Sequence, residues 1–230
     1  MKKLLAAISC VALLITCGIV FTACDNQKDG EESSIVVDET GGNDGAQIVG
    51  VYTKADSPVI TDAFKKVFDK AMETLTGVEY TPVAYLSSQV VAGTNHRVLC
   101  KATPTVPDAK TTYSIVTIYE DLNGNAEVSN VQESTISAEF PELDGGWAEA
   151  ESPALTTEAN AAFTKACETL TGMEYTPVAL IATQVVAGTN YQILCEAKAT
   201  VPNAETSYMV VTVYADLEGN AEITETVDFK

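Results

Sequence analysis

An internal repeat constrains the fold of this 230-residue chain more than any other feature. Residues 57–128 align with residues 152–223 without a gap, and 42 of the 72 aligned positions are identical. Two copies of this length are not solenoid units, which are about 20–50 residues long and need several neighbours. A unit of about 95 residues can bury a core of its own. The repeat therefore predicts two tandem domains, at 49–136 and 144–230, joined by a linker at 137–143.

The first 24 residues have the pattern of an export signal. Lys2 and Lys3 precede 20 residues without a charge, and Cys24 follows them. A basic start before an apolar segment is typical of signal peptides, and small residues before a cysteine resemble the signal of bacterial lipoproteins. The resemblance implies that 1–23 is removed and that Cys24 is lipidated, which anchors the chain to the membrane outside the cytoplasm. The alternative is an uncleaved anchor, since about 20 apolar residues can cross a bilayer.

The segment 24–48 is acidic and contains several Gly, Ser and Asn residues. Such a composition cannot bury enough apolar surface to fold. We therefore expect a disordered tether between the lipid anchor and the first domain.

The charge of the chain excludes several functions. It has 32 acidic and 13 basic residues and a net charge of −19, so it repels phosphate backbones and is not expected to bind nucleic acid. A single histidine, His96, leaves no room for a His-rich metal site or a two-histidine mechanism. We expect no metal, no cofactor and a self-repelling, soluble monomer. Alternatively, the negative charge indicates that the chain binds a cationic partner.

Each repeat predicts one helix followed by four strands. Apolar residues recur at helical spacing over 60–75 and again over 155–170, with Thr61 as a candidate N-cap and Gly77 as a candidate C-terminal stop. Runs rich in Val, Ile, Thr and Tyr predict strands at 80–91, 94–103, 111–120 and 126–134. Because the breaks between them are short, we expect antiparallel pairing. The predicted fold class is α+β, with two tandem domains that each pack one helix on a four-stranded antiparallel sheet.

Three segments of each repeat resemble the inhibitory regions of the cystatin superfamily, and stefins in particular. The motif Gln-Val-Val-Ala-Gly between two strands resembles their first hairpin, a Leu-x-Gly turn resembles their second hairpin, and glycines before the helix resemble their N-terminal trunk. The residues of the first hairpin are Gln89, Val90, Val91, Ala92 and Gly93 in one repeat and Gln184, Val185, Val186, Ala187 and Gly188 in the other. The second hairpin has Leu122 with Gly124 and Leu217 with Gly219, and the trunk has Gly50, Gly145, Gly146 and Trp147.

The resemblance implies reversible, wedge-type inhibition of papain-like cysteine proteases. Members of this family fill the active-site cleft of the protease with three apolar segments and do no chemistry, so we do not expect an enzyme and assign no catalytic residue. One buried apolar side chain contributes roughly 1.5–3 kcal/mol, whereas nanomolar binding needs about 12 kcal/mol. The three segments must therefore bind together. The alternative is a non-inhibitory cystatin-like module that recognises another surface protein, because a fold does not by itself give a function.

His96 and the cysteines are the remaining candidates for chemistry. His96 corresponds to Tyr191 in the second repeat, and we expect a strand histidine because no nucleophile is duplicated with it. Cys100 and Cys195 occupy equivalent inward-facing positions, whereas Cys167 lies on the helical stripe. Either all three are buried thiols that act as small hydrophobic side chains, or Cys167 and Cys195 form a disulfide, which an extracytoplasmic location permits.

Trp147 is the only tryptophan of the chain. It either packs within the second domain or anchors the trunk in a groove of a partner, since aromatic side chains dominate interface energies.

Overall fold

The computed structural model of the chain describes residues 50–141 and 143–230, and the same series of elements occurs twice within them. The first repeat contains β1 (Tyr52–Lys54), α1 (Asp62–Met72), β2 (Val78–Val91), β3 (Gly93–Pro104), β4 (Thr112–Glu120) and β5 (Ala126–Ser137). The second repeat contains β6 (Trp147–Glu149), α2 (Thr157–Cys167), β7 (Met173–Val186), β8 (Gly188–Ala199), β9 (Thr206–Ala215) and β10 (Ala221–Asp228).

Each repeat forms one antiparallel sheet of five strands in sequence order, β1-β2-β3-β4-β5 and β10-β9-β8-β7-β6. The prediction of four strands in each sheet is wrong, because β1 and β6 each add a fifth strand. The sequence pattern does not indicate these two strands. Each has only three residues, too few to show a strand periodicity. They exist because they pair with the end of a long strand, Tyr52 opposite Gln89 and Trp147 opposite Gln184.

The two helices begin where the sequence predicts but end earlier. Thr61 caps α1 by accepting a hydrogen bond at Oγ1 from the Phe64 N–H at 3.2 Å, and Thr156 caps α2 in the same way. The helix α1 ends at Met72, so Gly77 is not its terminating residue. Gly77 instead has a positive φ of 92° in the loop before β2, a conformation that favours glycine.

Each helix covers one face of its own sheet. The buried face of α1 meets residues of β3 and β4 that point to the same side, Val98 and Cys100 from one strand and Val116 and Ile118 from the other. The equivalent cluster around α2 includes Phe163, Ile193 and Cys195. Cys100 and Cys195 therefore face inward, as the sequence predicts.

The opposite faces of the two sheets pack against each other, and this is where the predicted fold class is wrong. The residues that alternate with the helix-facing ones, such as Leu99 and Ile115, enter one core together with Leu194 and Val210 of the second repeat. The repeats thus form a single compact unit with the layers helix, sheet, sheet and helix, not two separate domains that each hold a helix on a sheet. The described part of the chain is mostly β, with ten strands and two helices.

Polar contacts also join the two repeats. Lys54 Nζ donates to the Pro177 carbonyl at 2.9 Å, and Lys101 Nζ lies 2.6 Å from Glu149 Oε2. The backbones of Glu133 and Lys230 exchange two hydrogen bonds of 2.9 Å. The expected linker takes part as well, since Ala138 is buried in the shared core.

Candidate functional site

The first hairpin is the tight turn between β2 and β3 in the first repeat and between β7 and β8 in the second. Val91 pairs with Gly93 across the turn, so Ala92 alone forms the tip. Gly93 has a φ of 125° and lies against the end of β4, where the Tyr119 hydroxyl donates to the Ala92 carbonyl. The second repeat repeats this arrangement, with Tyr214 donating to the Ala187 carbonyl at 2.6 Å. The end of β4 thus fixes the position of the hairpin.

The glutamine of the motif ties the hairpin to the N-terminal segment. Gln89 Nε2 donates to the Gly50 carbonyl at 3.0 Å, and Gln89 Oε1 accepts from Asn95 Nδ2 at 2.8 Å. Gln184 makes the same two bonds, to Gly145 at 2.9 Å and from Asn190 at 2.8 Å. Asn95 and Asn190 are not among the residues predicted from the sequence, although both stand in the run that is identical between the repeats.

The second hairpin is a turn organised by one aspartate. Asp121 Oδ1 accepts from the backbone N–H groups of Asn123 and Asn125, both at 2.8 Å, and Oδ2 accepts from Asn125 Nδ2. These bonds stabilise the charged form, so the Asn125 amide lowers the pKa of Asp121 from its usual value. Asp216 and Asn220 form the same turn in the second repeat. The closed turn leaves Leu122 at its tip, 84% exposed, and Leu217 at the equivalent tip, 86% exposed.

The structure brings all three segments together at one end of each sheet. The first strand begins there beside β2, β2 and β3 meet there in the first hairpin, and β4 and β5 meet there in the second. We call this surface the wedge end. It comprises Gly50, 89–93 and 122–124 in the first repeat and Gly145, 184–188 and 217–219 in the second.

Apolar side chains exposed to solvent collect at both wedge ends. Most of the exposed large hydrophobic residues in the described part of the chain lie on or beside these segments, namely Val51, Val91, Leu122, Leu143, Val185, Val186 and Leu217. Exposed apolar side chains gathered at one end of a sheet favour an interaction surface. Trp147 is not part of it, since its side chain is half-buried against the shared core.

The two wedge ends differ in how the second hairpin is held. Lys70 of α1 donates from Nζ to the Gly124 carbonyl at 2.7 Å and so holds the second hairpin of the first repeat against the helix. The Nζ atom of the equivalent Lys165 lies 2.7 Å from Oε2 of Glu168, the residue that follows α2. The second hairpin of the second repeat thus lacks this anchor.

A groove beside the first wedge end contains His96. The groove has a volume of about 760 Å³ and is lined by residues of α1, β2, β3 and β4, Glu120 among them. The Tyr85 hydroxyl lies 2.8 Å from His96 Nδ1, and His96 Nε2 lies 3.3 Å from Glu120 Oε2. The second repeat has Leu180, Tyr191 and Ala215 at these three positions. His96 is thus a half-buried strand residue held by hydrogen bonds.

The His96 environment predicts a pH dependence of stability. Burial lowers the pKa of His96 from 6.5, against a smaller opposing effect of Glu120. The unfolded chain therefore takes up this proton at a higher pH than the folded chain, so stability falls as the pH drops below about 6.5. In urea titrations between pH 7.5 and 5, we expect a smaller loss of unfolding free energy for the variant His96→Tyr, which carries the residue of the second repeat. Equal losses in the two proteins would contradict this assignment.

The three cysteines in the described part of the chain are free thiols. Cys100 and Cys195 are buried, and burial raises the pKa of both thiols far above the usual range. Cys167 is half-buried near Cys195 and its pKa is also raised by burial. The alternative of a disulfide between Cys167 and Cys195 is not realised in the structure, and a thiol of raised pKa is a poor nucleophile.

Some predictions fall on other parts of the chain. The signal peptide at 1–23, Cys24 and the tether at 24–48 lie outside the described residues. In the described part, α1 and α2 have 11 residues each, and neither is long and apolar enough to span a membrane. The described residues also contain no group of three or more His, Cys, Asp or Glu side chains placed to hold a metal ion.

Comparison with known proteins does not assign the chain to a family. No protein-family model matches the chain, and no curated protein matches it at a significant level.

Proposed function

We propose that the chain is a reversible inhibitor of papain-like cysteine proteases and that it acts by inserting a wedge end into the active-site cleft. The observation that carries this proposal is the convergence of three separate apolar segments at one end of each sheet. The resemblance of 89–93 and 184–188 to the first inhibitory hairpin of cystatins gives the class of target. In this proposal Cys24 anchors the inhibitor outside the cytoplasm.

The exposed residues provide enough apolar surface for tight binding only if the three segments bind the protease together. Burial of one valine or leucine side chain contributes roughly 1.5–3 kcal/mol, so Val91, Leu122 and the chain around Gly50 must bind the cleft simultaneously. The hydrogen bonds of Gln89 and Asp121 hold these segments in place before binding. A rigid site loses little conformational entropy on association. Inhibition by occupation of the cleft requires no covalent bond.

A non-inhibitory recognition module is the second candidate, and it uses the same surface. Carboxylates flank the apolar tips, with Asp121 at one and Asp216 and Glu218 at the other. Such a surface suits a partner that combines an apolar groove with basic residues. The two candidates differ in whether binding blocks the active site of a protease.

An inhibition assay distinguishes the two candidates. The soluble chain 48–230 is titrated against papain and compared with a variant that carries aspartate at Val91, Leu122, Val186 and Leu217. We expect the variant to raise the inhibition constant more than about 100-fold, because it removes the apolar contacts and introduces charge into a dry cleft. These side chains are exposed enough that the fold should tolerate the change.

The matched control changes leucines away from the wedge ends. Leu75 is 37% exposed, close to the 38% of Val91, and Leu170 is its equivalent in the second repeat. Aspartate at Leu75 and Leu170 should leave inhibition unchanged. If the intact chain at micromolar concentration does not inhibit papain or a cathepsin-type protease, the inhibitor proposal fails, and the recognition module becomes the better account.

A further inference from the structure

The two wedge ends lie at opposite ends of the molecule, as the contacts between the sheets show. Lys54 pairs with Ser87, four residues before the hairpin residue Val91, yet it reaches Pro177, which is nine residues before Val186. The reverse contact also exists. Glu149, close to the second wedge end, reaches Lys101, which lies well along β3 from the first. Residues close to the wedge end of one sheet thus contact residues far from the wedge end of the other sheet.

The connection between the two repeats favours the same arrangement. The fifth strand leaves the first wedge end at Ala126 and finishes at Ser137, and β6 starts beside the second wedge end at Trp147. Because β5 is bulged, its 12 residues run beside the nine residues of β4, a length of about 30 Å. The intervening chain reaches at most roughly 35 Å when fully extended, and it is shortened by a turn in which the Gly146 N–H donates to the Leu143 carbonyl. A chain shortened in this way joins neighbouring ends more easily than ends about 30 Å apart. It therefore favours wedge ends that point away from each other, in agreement with the side-chain contacts.

Each wedge end is complete within its own repeat. The bonds that order the first come from Gln89, Asn95, Tyr119 and Asp121, and those that order the second come from Gln184, Asn190, Tyr214 and Asp216. Each end also exposes its own apolar side chains. No described residue of one repeat is needed to build the wedge end of the other.

We infer that one chain holds two partner molecules at the same time, one at each wedge end. This inference rests on the proposed function, and the partner is a papain-like cysteine protease. Because the two docking surfaces face opposite directions across sheets about 40 Å long, the first bound protease does not cover the second site. The shared core keeps the two sites at a fixed separation, so the chain bridges two proteases in a rigid assembly.

Sedimentation measurements of mass test this inference. The soluble chain 48–230 is mixed with an excess of papain whose active-site thiol is blocked by a small reagent. We expect complexes with two papain molecules per chain. A first-end variant, with Val91→Asp and Leu122→Asp, and a second-end variant, with Val186→Asp and Leu217→Asp, should each bind one. The variant with all four changes should bind none.

The outcomes separate this inference from the proposed function. If the intact chain binds one papain molecule and both single-end variants also bind one, the sites exclude each other and the inference is wrong. If the intact chain and only one of these variants bind, a single end is functional, and the inference is again wrong while the inhibitor proposal stands. If the intact chain forms no complex, both fail. The control with Leu75→Asp and Leu170→Asp should bind two molecules.

Discussion

Replacement of Leu86 by alanine is expected to lower the free energy of unfolding of the whole described unit by about 2–5 kcal/mol. Leu86 is fully buried in the first repeat and belongs to the core that both sheets share. The loss should therefore be visible at Trp147, which lies in the second repeat and packs against the same core. The measurement is denaturant unfolding followed by tryptophan fluorescence, which reports the second repeat alone because Trp147 is the only tryptophan.

Two matched variants complete the experiment. Ile181 is the equivalent residue in the second repeat, and Ile181→Ala should shift the Trp147 transition by a similar amount. Leu122→Ala, at an exposed tip, should leave it unchanged. If the repeats were independent domains, Leu86→Ala would create a separate transition visible by circular dichroism and leave the fluorescence transition in place. That outcome would contradict the shared core.

The helices and the long strands could be predicted from the sequence because local signals determine them. Thr61 and Thr156 are side-chain caps that act within three residues, and the helical stripes have a period that is visible in each repeat. Gly93 lies where a tight turn must join two strands. Such features depend on neighbours in sequence and need no knowledge of the rest of the fold.

The face-to-face packing of the sheets could not be predicted from the repeat alone, since two similar units can be separate or joined. The signal was in the strands themselves. Residues 113–118 of β4 are all buried, because Tyr113 and Ile115 face the shared core and Val116 and Ile118 face the helix. A strand covered on one face alternates between apolar and polar residues, whereas a strand covered on both faces does not. The run Ser-Ile-Val-Thr-Ile therefore indicates a second covered face.

The candidate site was predictable in its motif but not in its supporting bonds. Gln89 and Leu122 were predicted from the sequence as binding residues, and the structure places both segments at one end of the sheet. Gln89 also has a structural role, because its side-chain amide hydrogen-bonds to both Gly50 and Asn95. Bonds of this kind join residues that are distant in sequence, so spacing alone could not reveal them. Pairing with β2 is what brings Gly50 beside the first hairpin.

Replacement of Gly93 by alanine is expected to lower the unfolding free energy by about 3 kcal/mol or more and to abolish inhibition by the first wedge end. A Cβ atom at this position would overlap the Glu120 carbonyl oxygen and lie 2.9 Å from Tyr119 Cε2. The φ of 125° is also unfavourable for any residue with a side chain. Relief of the overlap requires β3 to move away from the end of β4, which separates the first hairpin from the second. The second wedge end offers the same test at Gly188, where the Ala215 carbonyl oxygen is the obstacle.

Gly124 provides the matched control, because it has a positive φ of 75° but no neighbouring atom within 4 Å of the place that a Cβ atom would occupy. Gly124→Ala should cost only about 1–2 kcal/mol, the strain of that backbone conformation. Thermal unfolding gives the stability of each variant, and papain titration gives its affinity. The additional loss of unfolding free energy in Gly93→Ala, compared with Gly124→Ala, is the energetic cost of the close contact between the first hairpin and β4. Equal losses of unfolding free energy in the two variants would show that the close contact between Gly93 and β4 does not constrain residue 93. Full inhibition by a variant with alanine at both Gly93 and Gly188 would contradict the requirement that both hairpins keep their relative position.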